Sequence, residues 1–397
     1  SVLALTGGVA VAADTIRVGL IAPLSGGSAD FGNSMRLGAE LAARDINEAG
    51  GVLGRPIELV VRDDRALPEA GRVAAQDLVE RERVLFTLGF CNTGVAMRAA
   101  EVFQSARHVL MVPCSQGTAV TRTRAAADNY IFRVAPSDAM NARFLVHETV
   151  TRRRLTRIAI LADTTPYGDG GVKDLSSELA RFGLAPVHVG RFDLGVASLS
   201  AALGAARSAG ADALVVYAVG PEQAAAVSAR AALKWPVPYF APWPLSFRSV
   251  LERVGPAALE GTLMAQTIVQ DTASERRSTF IPRYLRHSKE DRIGSLMAAA
   301  QAYDALHLMV WALFQTRGDA SGPALKAALE NLERPLRGVV TTYARPFSAD
   351  DHEAFVPEMI WLGEWRGGEI VFHHADDRRL SAQVRRKPGA AADPVRP

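Results

Sequence analysis

The chain has 397 residues, 48% hydrophobic and 22% charged, with a formal net charge of +3; that length exceeds one ordinary domain and suits two lobes. The composition excludes a predominantly disordered chain. Acid and base are interspersed, and Arg152, Arg153 and Arg154 form only a short run read as a solvated helix end, so no nucleic-acid partner is expected.

Residues 1–13 are apolar and end in small residues, and Ala10-Val11-Ala12 fits the small-x-small rule of a secretory cleavage site. They are expected to be a signal-peptide remnant, which makes the mature chain periplasmic. No later segment approaches the ~18 to 20 uninterrupted apolar residues of a membrane span, so no integral membrane segment is expected in the mature chain.

Short β-branched runs then alternate with longer helical patterns, the signature of a parallel, doubly wound α/β sheet. Ile16 to Ala22 reads as a buried strand, and Pro23 to Gly32 as a Gly- and Ser-rich loop. Asn33 opens a helix closed by Gly50 and Gly51. Ile57 to Arg62 is a strand, Glu69 to Glu82 a helix, and Val84 to Phe90, Val109 to Pro113 and Tyr130 to Val134 continue as strands. The unit starts again at Arg157 to Ala162, followed by a loop at Asp163 to Gly171 and a helix to Phe182. Pro186 to Arg191, Ala213 to Tyr217 and Tyr239 to Ala241 are further strands. Ser295 to Gln315 is a long apolar helix expected in the core. The stretch from Arg378 onward reads as the start of a disordered tail, delimited here as residues 376–397. Two doubly wound sheets in tandem are expected, with no residue-level repeat between them.

Several motifs occur in a fixed order. They are Ile16-Arg-Val-Gly-Leu-Ile-Ala-Pro-Leu-Ser-Gly26, Phe31-Gly32, Arg44-Asp-Ile-Asn-Glu-Ala-Gly-Gly-Val-Leu-Gly54, Asp63-Asp64 and Gly89-Phe-Cys-Asn-Thr-Gly94. Phe132-Arg-Val-Ala-Pro136, Tyr167-Gly-Asp-Gly170 and Ala298-Ala-Ala-Gln-Ala-Tyr-Asp304 follow. Each is weak alone, but the ordered series resembles the leucine/isoleucine/valine-binding protein family, the solute receptors of ABC transporters. The resemblance implies a type I periplasmic binding protein fold, in which two Rossmann-like lobes are joined by a three-strand hinge and trap ligand between them. It places crossovers near Pro136, Ala265 and Pro346. The first lobe would hold 14–136 and 267–345, and the second 137–265 and 347–375.

Ligands in open parallel sheets bind beyond the strands' carboxyl ends. Phe31, Cys91 to Gly94 and Cys114 to Gly117 follow first-lobe strands and should line one cleft wall, where exposed helix-start amides favour an anion. The resemblance implies that Asn92, Thr93, Ser115 and Gln116 hold a ligand carboxylate, with Asn92 where amino-acid receptors usually carry Ser. The alternative makes Asn92 and Ser115 helix caps. By the same resemblance Phe31 covers the ligand, or else packs beneath its own turn, and Tyr167 supplies a second-lobe aromatic. Asp163, Thr164 and Thr165 are weaker candidates, read also as turn formers.

Amino-acid receptors of the family place an acid after the strand matching Tyr239 to Ala241. Here Pro242-Trp-Pro-Leu-Ser246 carries none, and a buried ammonium without a counter-charge is costly. Val219 and Gly220 stand where a branched-chain receptor offers Tyr. The expected ligand is therefore a small carboxylate with an aromatic or aliphatic body, ahead of a standard amino acid. Trp243 either stacks on that body or sits in the core. Cys91 matches a family half-cystine whose partner position is Leu67 here. Cys91 and Cys114 form either a disulfide or two buried thiols, the thiols being preferred.

No Gly-x-Ser-x-Gly elbow, P-loop or His-Glu-x-x-His helix is present, so neither catalysis nor cofactor nor metal is expected. His373-His374 reads as solvated surface, and His307 as a satisfied core histidine. The expected partners are a small ligand and an inner-membrane ABC permease with its ATPase. A periplasmic ligand sensor is the alternative role, and a secreted hydrolase a third.

Overall fold

The computed structural model describes residues 14–271, 274–383 and 387, so the expected signal remnant lies outside the described residues. In the first half, β1 (Ile16–Ala22), α1 (Ala29–Glu48), β2 (Ile57–Asp63), α2 (Pro68–Gln76), β3 (Thr87–Gly89), α3 (Thr93–Ser105), β4 (Leu110–Val112) and β5 (Ile131–Arg133) alternate. Their strands form a parallel sheet in the order β2-β1-β3-β4-β5. All of β1 except Arg17 is buried, as expected for a strand covered on both faces and written as a nearly continuous apolar run.

The second half repeats the plan. It contains α4 (Asp138–Val146), β6 (Ile158–Asp163), α5 (Pro166–Ala180), β7 (His188–Phe192), α6 (Ser200–Ser208), β8 (Ala213–Tyr217) and α7 (Gly220–Ala232). β9 (Tyr239–Ala241), α8 (Arg248–Val254), α9 (Pro256–Leu259) and β10 (Leu263–Gln266) complete it. The chain then returns to the first lobe through α10 (Glu275–Ser288), α11 (Leu296–Gln315), α12 (Gly322–Glu330) and the hairpin β11 (Leu336–Arg337) with β12 (Thr342–Tyr343). Finally β13 (Trp361–Arg366) and β14 (Glu369–Phe372) extend the second sheet antiparallel, giving β14-β13-β10-β9-β8-β6-β7, and α13 (Asp377–Ser381) follows.

By length and composition α11 would cross a membrane, yet 78% of its apolar window is buried. It lies against α1 at a spacing only glycine permits: a Cβ on Gly38 would stand 2.1 Å from the Ala299 carbonyl oxygen.

Several boundaries differ from the sequence reading, among them α1 and α5, which begin at Ala29 and Pro166 inside stretches read as loops. The last crossover falls after Phe355 and not near Pro346, because residues 347–355 add to the β5 edge. Phe347 packs on Phe132 with ring centroids 5.1 Å apart. Arg133 N donates to His352 O at 2.8 Å, and Ala354 N donates to Arg133 O at 2.9 Å. The side chain of Arg133 is wholly buried and pairs with Glu353. The segment from residue 376, read as disordered, begins with α13, and Arg277 Nη2 anchors it by donating to Ser381 O at 2.7 Å. Lys387 Nζ reaches Asp351 at 2.5 Å. Nor do His373 and His374 stand free in solvent: they face Glu364 at 2.9 Å and Glu148 at 3.0 Å.

Candidate ligand-binding cleft

In both sheets a helix begins a few residues past the carboxyl end of a strand: α1 after β1, α3 after β3, α5 after β6 and α7 after β8. Their first turns supply Ser28, Asn92 to Gly94, Thr165 to Tyr167 and Val219 to one cavity of about 570 Å³ between the lobes. The first N–H groups of a helix have no partner inside it, so this geometry gathers donors and positive dipole ends around the cavity.

The lobes touch around it. Phe31 meets Trp243 with ring centroids 4.7 Å apart and meets Phe247 edge-on at 4.3 Å. Ser249 donates to Asp30 Oδ2 from its N at 3.0 Å and its Oγ at 2.5 Å. Thr118 Oγ1 donates to Asp174 at 2.6 Å. Arg248 pairs with Asp291 at 3.1 Å, and Arg292 with Glu369 at 2.6 Å. The arrangement is a closed one, and an aromatic cluster seals one side.

Most residues singled out in the sequence line this cavity: Phe31, Cys91, Asn92, Thr93, Cys114, Gln116, Thr165, Tyr167, Val219 and Trp243. Two do not. Ser115 is fully buried, its amide donating to Phe90 O at 2.8 Å and its hydroxyl 3.5 Å from Thr93 Oγ1. Its amide is therefore engaged, and it is neither a lining residue nor a helix cap. Gly220 sits beside the cavity against Gly27, where a Cβ would lie 3.3 Å from the Gly27 carbonyl oxygen.

Asn92 occupies the N-cap position of α3 without making a capping bond. Its Nδ2 donates to Ser28 Oγ at 3.0 Å instead, and its buried Oδ1 has no partner. Gln116 Oε1 accepts from Asn141 at 2.9 Å, which leaves Nε2 unpartnered. Cys91 and Cys114 are free, buried thiols; burial pushes both thiols up, and Cys91 Sγ rests 3.7 Å from Met35 Sδ. Trp243 is only 2% exposed, so it is both a core residue and a cavity wall.

On the second-lobe side, Thr165 caps α5, its Oγ1 accepting from Tyr167 N at 3.2 Å. Tyr167 packs against Tyr217 at 5.3 Å, and the Tyr167 hydroxyl has no hydrogen-bond partner. Burial, with Asp138 nearby, raises both phenols well above their ordinary value. Asp138 itself is pushed up to about 7 by burial, against the pull of Arg133. Asp163 Oδ1 accepts from Thr165 N at 2.9 Å while Oδ2 stays buried and unpartnered; burial raises this carboxyl too.

The absence of an acid after β9 therefore does not leave the cavity without carboxylates, since Asp163 and Glu222 both line it. Glu222 Oε1 is occupied by Gly195 N at 2.8 Å. The sequence reading also missed Ser28, Arg65 to Pro68, Leu194, Gly195 and Pro221. Most of these follow β1, β2, β7 and β8, so the carboxyl-end rule applied to every strand would have found them.

Residues 15–369 match the family model of periplasmic binding proteins. A Leu/Ile/Val-binding protein homolog of Brucella melitensis is 30% identical over 202 residues, 51% of this chain and 53% of that protein. The chain thus spans about half the length of the curated relatives it matches. Among solved structures, a type 1 periplasmic binding protein of Bordetella pertussis superposes with a TM-score of 0.81 at 22% identity, covering 91% of this chain and all of that one. A solute-binding protein of an ABC transporter from R. palustris, solved with benzoate, gives 0.79 at 20% identity over 91% and 96%. At these identities the two structures share the fold. With a family model matched along most of its length and both lobes built on that fold, the chain belongs to the periplasmic binding proteins.

Proposed function

We propose that this protein is the periplasmic receptor of an ABC-type uptake system, delivering a small carboxylate to an inner-membrane permease and its ATPase. The observation that carries this reading is the closed cavity, with helix N-termini around an aromatic and aliphatic wall. The carboxylate sits against the start of α3, where Asn92, Thr93 and the open amides hold it, and Gln116 Nε2 supplies a further donor. Phe31, Trp243 and Val219 cover the ligand body. Closure about the hinge follows because ligand shifts the balance only through contacts it makes better in the closed form; Tyr167 and Trp243 provide these from the second lobe. The benzoate and Leu/Ile/Val named for its relatives bracket the ligand, an aromatic or aliphatic acid or an amino acid. The unpartnered Asp163 Oδ2 keeps an α-amino acid as the second reading, because it offers an ammonium an acceptor.

A thermal-shift screen of unfolded and refolded protein tests this, with benzoate, phenylpropanoate, butanoate, leucine and valine. A ligand at ~100 times its dissociation constant adds roughly 2.7 kcal/mol. Stabilisation by the acids alone supports the first reading, and a response confined to leucine and valine supports the second. Silence throughout the panel refutes the carboxylate site.

A further inference from the structure

Among the described residues few large apolar side chains are exposed, and two of them face the same cavity: Leu67 at 52% and Leu194 at 57%. They come from opposite lobes. Leu67 ends the loop between β2 and α2, and Leu194 begins the loop after β7.

Both loops are held in shape. Arg65 and Ala66 adopt left-handed backbone, with φ of 52° and 58°, a conformation that non-glycine residues enter at a cost. Asp63 Oδ1 accepts from Arg65 N, and Asp64 Oδ1 from Ala66 N, each at 2.8 Å. Leu67 N donates to Asp64 O at 2.8 Å. Across the opening, Gly195 N is fixed by Glu222, and Asp193 accepts from Thr164 Oγ1 at 2.6 Å. Two braced loops thus hold leucines out toward water at the edge of a binding cavity. A single exposed leucine needs no explanation; a pair facing one cavity from both lobes forms an apolar rim. The cavity volume of about 570 Å³ lies in the range that buries drug-sized ligands, beyond the needs of a single small ring.

Resting on the carboxylate reading above, we infer that the ligand is an extended amphipathic acid, held by its carboxylate at α3 and running to the rim, where Leu67 and Leu194 cover its apolar distal end. Straight-chain or arylalkyl monocarboxylates are the class that satisfies both poles.

The test is a calorimetric titration of refolded protein with monocarboxylates from butanoate to decanoate, with benzoate and phenylpropanoate alongside. Affinity should climb roughly fourfold per added methylene until the rim is covered. In the double variant Leu67→Ser and Leu194→Ser, the decanoate-to-butanoate affinity ratio should fall about tenfold. Both sites are exposed, and Ser at position 67 is a good N-cap for α2, so an unchanged melting temperature serves as the fold control. Binding of butanoate or benzoate with no gain on lengthening overturns the inference and leaves the carboxylate reading standing. An unaltered ratio in the variant also overturns it, and failure of every acid overturns both.

Discussion

The two cleft walls are built on the same strand order, yet they present different chemistry. Around the start of α3 the first-lobe wall is small and polar, with Ser28 bonded to Asn92 and with Thr93, Gln116 and two buried thiols beside them, while Phe31 and Leu67 stand farther out. The second-lobe wall is bulkier, with Tyr167, Trp243, Val219 and the prolines in the first turns of α5 and α7, and it carries the carboxylates of Asp163 and Glu222. Topology alone does not assign these roles. A doubly wound sheet delivers strand ends and helix starts to one place, and the few residues after each strand decide whether that place holds a charge or covers a body.

The largest expected effect comes from Trp243→Ala, which removes a buried side chain that also meets Phe31 across the cleft. Urea unfolding should show a loss of about 3–5 kcal/mol, accompanied by weaker ligand binding. A loss below about 1 kcal/mol would mean that the second wall is not a packed cover. Next comes Asn92→Asp. Aspartate caps helices well, so stability should hold, while the new charge repels an anion at the same helix start. Calorimetry with benzoate at pH 8 should show at least a tenfold loss; equal affinity would move the anion pole away from the first wall.

The smallest effect sharpens the comparison at its edge. Asp64 lies beneath the first wall, and burial pushes its carboxyl up to about 7. Between roughly pH 4 and 7 the folded protein keeps a proton there that the unfolded chain has released, so this group lowers stability as pH rises. Asp64→Asn lacks that penalty and keeps an acceptor for Ala66 N. Its melting temperature relative to the parent should therefore rise from pH 5 to pH 8, and a constant difference would sink the assignment.

Much of this was legible in the chain. β1, β8 and β9 begin and end where their β-branched or aromatic runs do, because strands buried on both faces are written as apolar runs. The lining at Cys91 to Gly94 and at Cys114 and Gln116 was legible because these residues closely follow such runs. Leu67 and Leu194 were not, since an exposed leucine in a loop carries no local signal and only strand order brings the two loops to one opening. Helix α5 starts at Pro166, inside a stretch rich in Gly and Asp that reads as loop, because Thr165 caps it and Gly168 packs against Asp163. The late crossover after Phe355 was hidden for a similar reason. The contacts of Phe347 with Phe132 and of Glu353 with Arg133 join positions more than two hundred residues apart.

Gly27 and Gly220 face each other across the closed cleft, a Cβ on Gly220 lying 3.3 Å from the Gly27 carbonyl oxygen. A Cβ on Gly27 would stand 2.9 Å from Pro221, and one on Gly220 only 3.0 Å from Phe247. The approach of the lobes here is thus set by Gly27 lying bare against the Pro221 ring and the Gly220 backbone. Any side chain at position 27 would act as a wedge between the lobes, so the absence of a Cβ there is what lets the cleft shut this far.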